Sequence, residues 1–175
     1  MESRPRLKIL SLLLMLMPFF SACGFHLRQA ASAALPASLS TLRVTMSDSR
    51  LAYPPLLVEM RNALYAQPGV IVEAKDTKAN VPLLDLFGEY YAAQVLAVDT
   101  SGKVSAYLLN YKVDFRLADA AGKNLIAKQT VKLQREYTFD QFNVLAKEKE
   151  EEYLRDEMRR DAVQQILRQL AAFNK

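Results

Sequence analysis

The sequence predicts an α+β fold, a two-layer sandwich in which two helices pack on one face of a mostly antiparallel sheet. The sheet is expected to have four strands or slightly more. Three segments of alternating apolar and polar residues, joined by two similar turns, predict its antiparallel part. Two segments with helical spacing of apolar residues, one before and one after these strands, predict the helices. The predicted element order is β-α-(β)-β-β-β-α, with the bracketed strand short.

The first strand and the first helix are predicted within residues 39–69. Alternating apolar residues favour a strand over 39–46. Pro54 and Pro55 suit the first turn of a helix, and apolar residues then recur at helical spacing. The segment Gln67-Pro68-Gly69 is typical of a helix end. Residues 70–72 then predict a short edge strand.

The three central strands form an antiparallel meander. Each connecting turn, 99–103 and 119–123, begins with Asp and carries Gly then Lys at its end. Asp opens a type I turn and Gly takes the left-handed position of a bulged hairpin. In the first strand apolar residues occupy both alternating positions, so the strand either buries parts of both faces or contains a bulge near Gly88. The predicted strands are 83–98, 104–118 and 125–139.

The chain ends in a long helix, predicted over 144–173, where apolar residues recur every three to four positions. Two helices cover one face of the sheet, so the other face is expected to meet water or a partner. We favour a solvated face over a phosphate-binding patch, because Asp114 and Glu136 interrupt its basic residues. These basic residues are Lys112, Arg116, Lys128 and Lys132.

The first residues predict export and lipidation. A basic start, an apolar run over 9–20 and small residues before Cys23 are typical of a signal peptide. The run is shorter than the roughly 20 residues that span a bilayer. Cys23 is the only cysteine, which favours a bacterial lipoprotein signal over an ordinary signal with an incidental cysteine. We therefore expect residues 1–22 to be a signal peptide, 23–38 a lipidated tether and 39–175 one domain.

Composition argues against catalysis and against nucleic-acid binding. The chain has 23 Lys and Arg against 19 Asp and Glu, and removing residues 1–22 leaves 20 against 18. This near balance does not predict a nucleic-acid partner. The only histidine, His26, lies three residues from Cys23, and no nucleophile elbow, metal-ligand cluster or phosphate loop occurs. We predict no enzyme activity, no metal and no cofactor; a lipid-anchored hydrolase would need a pair of carboxylates that the sequence does not reveal.

The segment Cys23-Gly24-Phe25-His26-Leu27-Arg28 resembles the start of the LptE family, lipopolysaccharide-assembly lipoproteins of the Gram-negative outer membrane. The turn leading into Ser105-Ala106-Tyr107 and the segments 145–147, 155–158 and 165–170 are similar to later parts of that family. The resemblance implies a two-layer α/β sandwich without catalysis. It also implies a covalent N-acyl and S-diacylglycerol anchor at Cys23. Gly24 follows the cysteine, where an aspartate would retain a lipoprotein at the inner membrane. This residue therefore agrees with placement in the outer membrane.

The resemblance further implies a partner and a ligand. The partner is the LptD β-barrel, which the protein would plug and help to assemble from the periplasmic side of the outer membrane. The ligand is lipopolysaccharide, bound through basic residues. One family position matches Lys147, whose alternative role is a solvated lysine paired with Glu151. The other aligns near Thr100, where Lys103 is the nearest basic residue.

A second interpretation stays open from the sequence. The protein is then a generic periplasm-facing lipoprotein that binds another envelope protein or a small amphiphile.

Overall fold

The computed structural model describes residues 34–73, 80–138 and 144–173, with side chains of the last segment from residue 148 onward. Its seven main elements confirm the predicted α+β class and element order, including the short second strand. In chain order they are β1 (Thr41–Met46), α1 (Pro55–Tyr65), β2 (Ile71–Glu73), β3 (Leu83–Val98), β4 (Val104–Ala118), β5 (Asn124–Thr138) and α2 (Val144–Ala171).

The sheet has five strands in the order β2-β1-β3-β4-β5. Strand β1 pairs in parallel with both β2 and β3, and β3, β4 and β5 pair antiparallel. A parallel pair requires a crossover, and α1 supplies the one between β1 and β2. The antiparallel meander therefore joins the parallel strands through β3, and β5 forms the edge of the sheet opposite to β2.

A bulge at Gly88 changes which side chains of β3 face the helices. The β3–β4 register shifts between Phe87 and Tyr90, and Gly88 has a φ of +62°. A side chain is strained in this left-handed region, which Gly adopts freely. Before the bulge Leu86 is fully buried, whereas after it Tyr91 packs against the core. The bulge explains why apolar residues of β3 occupy both alternating positions, and it confirms the predicted irregularity.

The hydrophobic core lies between the two helices and one face of the sheet. Alternate residues of β4 are buried there, as the alternation predicts: Leu109, Tyr111, Val113, Phe115 and Leu117. The other side is supplied mainly by α1 and by the second half of α2, with Leu56, Met60, Leu64, Met158, Ala162, Val163, Ile166 and Leu170. Each fully buried large aliphatic side chain contributes about 1.5–3 kcal/mol.

The described chain begins inside the segment predicted as a tether. Leu35 packs against the core, and Ala37–Leu39 form one 3-10 turn that buries Leu39 completely. Cys23 and the rest of residues 1–33 lie outside the described residues. Among the helices that are described, none combines the length and apolar character needed to cross a bilayer.

Candidate functional site

The turn between β3 and β4 presents Lys103 at the tip of the hairpin. The carboxylate of Asp99 accepts hydrogen bonds from the backbone N–H of Ser101 at 2.8 Å and of Lys103 at 3.0 Å. The N–H of Gly102 donates to the Asp99 carbonyl at 3.0 Å, with Gly102 at a φ of +77°. The turn backbone is therefore well held, as the Asp and Gly pattern predicts. The side chain of Lys103 is exposed, and so is that of Thr100.

A polar network joins the middle of the meander to α2. Glu89, just after the bulge, accepts hydrogen bonds from the Tyr111 hydroxyl at 2.8 Å and from Arg159 Nε at 3.1 Å. Arg159 also pairs with Asp156 of its own helix. Burial and the Glu89 carboxylate raise the pKa of the Tyr111 hydroxyl above its ordinary value, so this tyrosine stays neutral. The network thus holds one partly buried ion pair, Glu89 with Arg159, with its hydrogen bonds largely satisfied.

A second polar contact lies nearer to the hairpin tip. The Tyr91 hydroxyl donates to Glu151 at 3.1 Å, and the Arg155 guanidinium lies 4.9 Å from the centre of the Tyr91 ring. Burial and the Glu151 carboxylate raise the pKa of Tyr91. Since Glu89 meets Arg159 and Tyr91 meets Glu151, α2 runs antiparallel to β3. Its N-terminus therefore points toward the β3–β4 turn.

This direction places Lys147 and Lys103 at the same end of the molecule. Lys147 lies in the first turn of α2, and its side chain is outside the described residues. It precedes Glu151 by about 6 Å along the helix. Strand β3 continues from Tyr91 to Val98 for about 23 Å at roughly 3.3 Å per residue. The two predicted lysines therefore belong to separate elements, Lys103 to the hairpin turn and Lys147 to the first turn of α2.

The open face of the sheet contains a buried carboxylate that binds two of the four predicted cations. Asp114 is only 3% exposed. It accepts a hydrogen bond from the Thr130 hydroxyl at 2.6 Å and pairs with Lys128 at 2.9 Å and Lys112 at 3.6 Å. Burial by itself raises the pKa of this carboxyl. The hydrogen bond and the two ammonium groups outweigh burial, so the pKa of Asp114 lies below its ordinary value.

A second buried carboxylate binds the third cation. Asp85, 2% exposed, accepts hydrogen bonds from Arg116 at 2.9 and 3.2 Å. The ring of Phe87 lies beside these charges, with the Arg116 guanidinium 5.9 Å and the Lys128 amine 5.4 Å from its centre. A cation that lies over the face of an aromatic ring is attracted to it electrostatically. Lys132 is the only one of the four cations without an ion pair in the described part of the chain.

The end of the meander next to the β3–β4 turn exposes apolar side chains. We call residues 95–98 and 104–107 the distal hairpin. Val95, Leu96 and Val98 are 50%, 45% and 57% exposed. The rings of Tyr107 and Tyr137 stack with centroids 6.4 Å apart, which supports the base of this hairpin. Pairing between β3 and β4 therefore holds the distal hairpin together, but its apolar side chains remain exposed.

Sequence reasoning missed the side chains that hold these features together. Nothing in the sequence pattern indicated that Asp85 and Asp114 are buried. Most of their partners stand on neighbouring strands, and only the register between the strands brings them together. The pairing of Glu89 with Arg159 joins residues far apart in the chain and depends on the bulge. Within the described ranges no group of three or more His, Cys, Asp or Glu side chains is arranged to hold a metal ion.

Comparison with known proteins gives one family. The chain is 32% identical over 166 residues to the LPS-assembly lipoprotein LptE of Photorhabdus laumondii, covering 94% of this chain and 86% of that protein. In structure it is similar to a lipoprotein B of Nitrosomonas europaea, with a TM-score of 0.68, 31% identity and coverage of 86% and 92%. It is also similar to rare lipoprotein B of Shewanella oneidensis, with a TM-score of 0.63, 28% identity and coverage of 75% and 94%.

The region matched by the family model coincides with the fold described above. The LptE family model, described as lipopolysaccharide-assembly, matches residues 39–170. This range runs from the first buried leucine to the last buried leucine of α2. The chain therefore belongs to the LptE family of lipopolysaccharide-assembly lipoproteins.

Proposed function

We propose that this protein is an outer-membrane lipoprotein that plugs and helps to assemble the LptD β-barrel and binds lipopolysaccharide during its insertion into the outer leaflet. The observation that carries the proposal is membership of the LptE family over residues 39–170. The protein acts by binding, without catalysis of its own. Its anchor is an acylated Cys23 that holds the domain at the periplasmic side of the membrane.

The distal hairpin supports the partner part of the proposal. Its first strand exposes Val95, Leu96 and Val98, which are 50%, 45% and 57% exposed. Exposed apolar side chains that lie close together mark sites of protein contact. A hairpin that extends from a compact core also fits into a cavity such as the inside of a wide barrel. We therefore assign the distal hairpin to the interface with the barrel.

Lys103 and Lys147 support the ligand part. Lipid A carries phosphates, and an ammonium group binds phosphate as a point charge. Lys103 is exposed at the hairpin tip and makes no ion pair within the described residues. Lys147 belongs to the first turn of α2, at the same end of the molecule. Two cations on separate elements at one end would contact separate anionic groups of a large amphiphile.

The partner claim is tested by copurification from detergent-solubilised envelope. The full-length chain should recover a large β-barrel protein. We expect Leu96→Asp to reduce this recovery strongly, because it places a charge on the apolar hairpin. Val58→Asp is the matched control, since Val58 is 40% exposed on α1, and it should leave recovery unchanged. Recovery of the chain without any barrel would contradict the proposal.

The ligand claim is tested by lipopolysaccharide pull-down with the full-length chain. Lys147→Glu and Lys103→Glu should each weaken binding, and the double variant should weaken it further. Lys123→Glu is the matched control, because the backbone N–H groups of the Asp119–Lys123 turn make the same hydrogen bonds as those of the Asp99–Lys103 turn. Equal binding by wild type and the double variant would remove both lysines from the site.

Mass spectrometry of the mature N-terminus tests acylation of Cys23, and an unmodified thiol would contradict the anchor.

A further inference from the structure

The open face of the sheet has a shallow depression that the proposed function does not use. Its volume is about 770 Å³, and it lies across the middle of β3, β4 and β5. Two cross-strand rows form its floor and walls. One row is Tyr90, Lys112 and Lys132, and the next is Ala92, Asn110 and Gln134. Gln94 extends it toward the distal hairpin. Lys103 does not line this depression.

The two lysines of the first row are directly opposite each other on neighbouring strands. Like charges in this arrangement repel each other and destabilise the sheet. Lys112 reaches Asp114 at 3.6 Å, but Lys132 has no ion pair in the described part of the chain. Glu136, two residues beyond Gln134 on β5, does not line the depression. An anion between the two amines would relieve the repulsion.

The remaining lining residues indicate what kind of molecule carries that anion. The ring of Tyr90 is 58% exposed and makes no described hydrogen bond, so its apolar face is available for stacking. Gln94, Asn110 and Gln134 present carboxamides, which donate and accept hydrogen bonds on a planar group. Gln134 Nε2 donates to Asn110 Oδ1 at 2.7 Å, which orients both amides and leaves the Gln134 carbonyl oxygen free to accept. Ala92 adds no bulk to the floor.

We propose that this depression binds an anionic oligosaccharide. A sugar ring has an apolar C–H face that stacks on Tyr90 and hydroxyl groups that hydrogen-bond with the carboxamides. A phosphate or carboxylate on the glycan then lies between Lys112 and Lys132. An acidic peptide fits less well, because it would leave the three carboxamides without a matching set of hydroxyl partners. The inference rests on the proposed lipopolysaccharide binding only for the source of the glycan, which another anionic envelope glycan would supply equally well.

The experiment is calorimetric titration of the full-length chain in a polyoxyethylene detergent, because detergents with sugar head groups would compete. The probes are the phosphorylated oligosaccharide released from lipopolysaccharide by removing its lipid, the same glycan after phosphatase treatment, a carboxylated envelope glycan, maltohexaose, and inorganic phosphate. We expect the phosphorylated glycan to bind most tightly. Stronger binding of a carboxylated envelope glycan would keep the site and change the source. Equal binding of maltohexaose would overturn the anionic assignment, and full competition by phosphate alone would overturn the saccharide.

Two variants locate the site. Tyr90→Ala should weaken binding by about tenfold through lost stacking. Lys132→Gln should weaken it and reduce its dependence on salt, because one screened charge is removed. The controls are Tyr153→Ala, a tyrosine 61% exposed on α2, and Lys123→Gln, and both should bind like the wild type. Unchanged affinity of Tyr90→Ala would overturn the site.

The outcome is separable from that of the proposed function. If intact lipopolysaccharide binds through Lys103 and Lys147 but the free oligosaccharide does not bind, the depression is not a glycan site and the proposed function stands. If the oligosaccharide binds through Tyr90 while intact lipopolysaccharide is not retained, the depression stands and the proposed function is wrong.

Discussion

The two halves of α2 contact the sheet by different chemistry. Toward its C-terminus, Met158, Ala162, Ile166 and Leu170 are completely buried against the sheet and α1. From Arg159 toward its N-terminus the contacts are polar: Arg159 donates to Glu89, and Glu151 accepts a hydrogen bond from the Tyr91 hydroxyl. Apolar burial is strong and non-directional, whereas polar contacts at a half-exposed surface contribute little net free energy but set geometry. The C-terminal half makes the fold stable, and the N-terminal half positions the meander that leads to the distal hairpin.

The largest expected effect tests the apolar core beneath the C-terminal half of α2. Phe115 on β4 is completely buried. Phe115→Ala should lower the free energy of unfolding by about 3–5 kcal/mol, because it removes apolar contact and leaves a cavity. Urea denaturation followed by circular dichroism measures this change. Val95→Ala on the distal hairpin is the control, and a loss as large as that of Phe115→Ala would contradict the division between the two halves.

A smaller effect is expected in the polar network at the boundary of the halves. Glu89→Gln removes the charge that Arg159 pairs with and weakens the acceptor of the Tyr111 hydroxyl. The free energy of unfolding should fall by about 1–3 kcal/mol, the cost of leaving a buried polar partner poorly satisfied. Urea denaturation again provides the measurement, with Glu150→Gln, an exposed residue of α2, as the control. No difference between these two variants would show that the network adds no stability.

The open face gives a prediction with a pH dependence. Asp114 has a lowered pKa in the folded protein, so it stabilises the fold when ionised. This stabilisation is complete above the unfolded pKa of about 3.9 and is lost as the pH falls through the lower folded value. Asp114→Asn should cost about 1–2 kcal/mol at neutral pH, because it removes a charged hydrogen-bond acceptor. Unfolding measured between neutral pH and pH 2 should show the two proteins converging in stability below about pH 4. A constant difference across this range would contradict the role of the carboxylate.

The smallest effect is expected nearest the hairpin. Tyr91→Phe removes the hydroxyl that donates to Glu151 but keeps the ring under Arg155. Global stability should change by about 0.5–1 kcal/mol. Hydrogen exchange should nevertheless become faster in the first turns of α2, because that contact holds them to the sheet. Equal exchange rates in wild type and variant would show that the N-terminal half of α2 is held by other contacts.

Much of the fold was predictable because the signals are local. Alternation along β4 identified its buried face, helical spacing identified α1 and α2, and the Asp and Gly positions identified both hairpin turns. The irregularity near Gly88 was visible as apolar residues on both alternating positions. These patterns act over a few residues and need no knowledge of what lies across the sheet.

The candidate sites were predictable only in part. The hairpin turn that presents Lys103 is a local structure, so its position at a tip followed from the sequence. The pairing of Lys112, Arg116 and Lys128 with buried carboxylates did not, because it depends on which residues stand opposite each other. The depression around Tyr90 and Lys132 has the same origin: its residues come from three strands and meet only through the register.

The sequence by itself determined the kind, order and approximate bounds of the elements, because backbone periodicity and turn chemistry are encoded residue by residue. The tertiary structure alone decided that β1 lies between β2 and β3, that α2 points its N-terminus toward the hairpin tip, and which charges of the open face are neutralised. These features depend on strand register and helix direction, which bring together residues distant in the chain. Lys132 therefore looks like its three neighbours in the sequence and differs from them only in the folded protein.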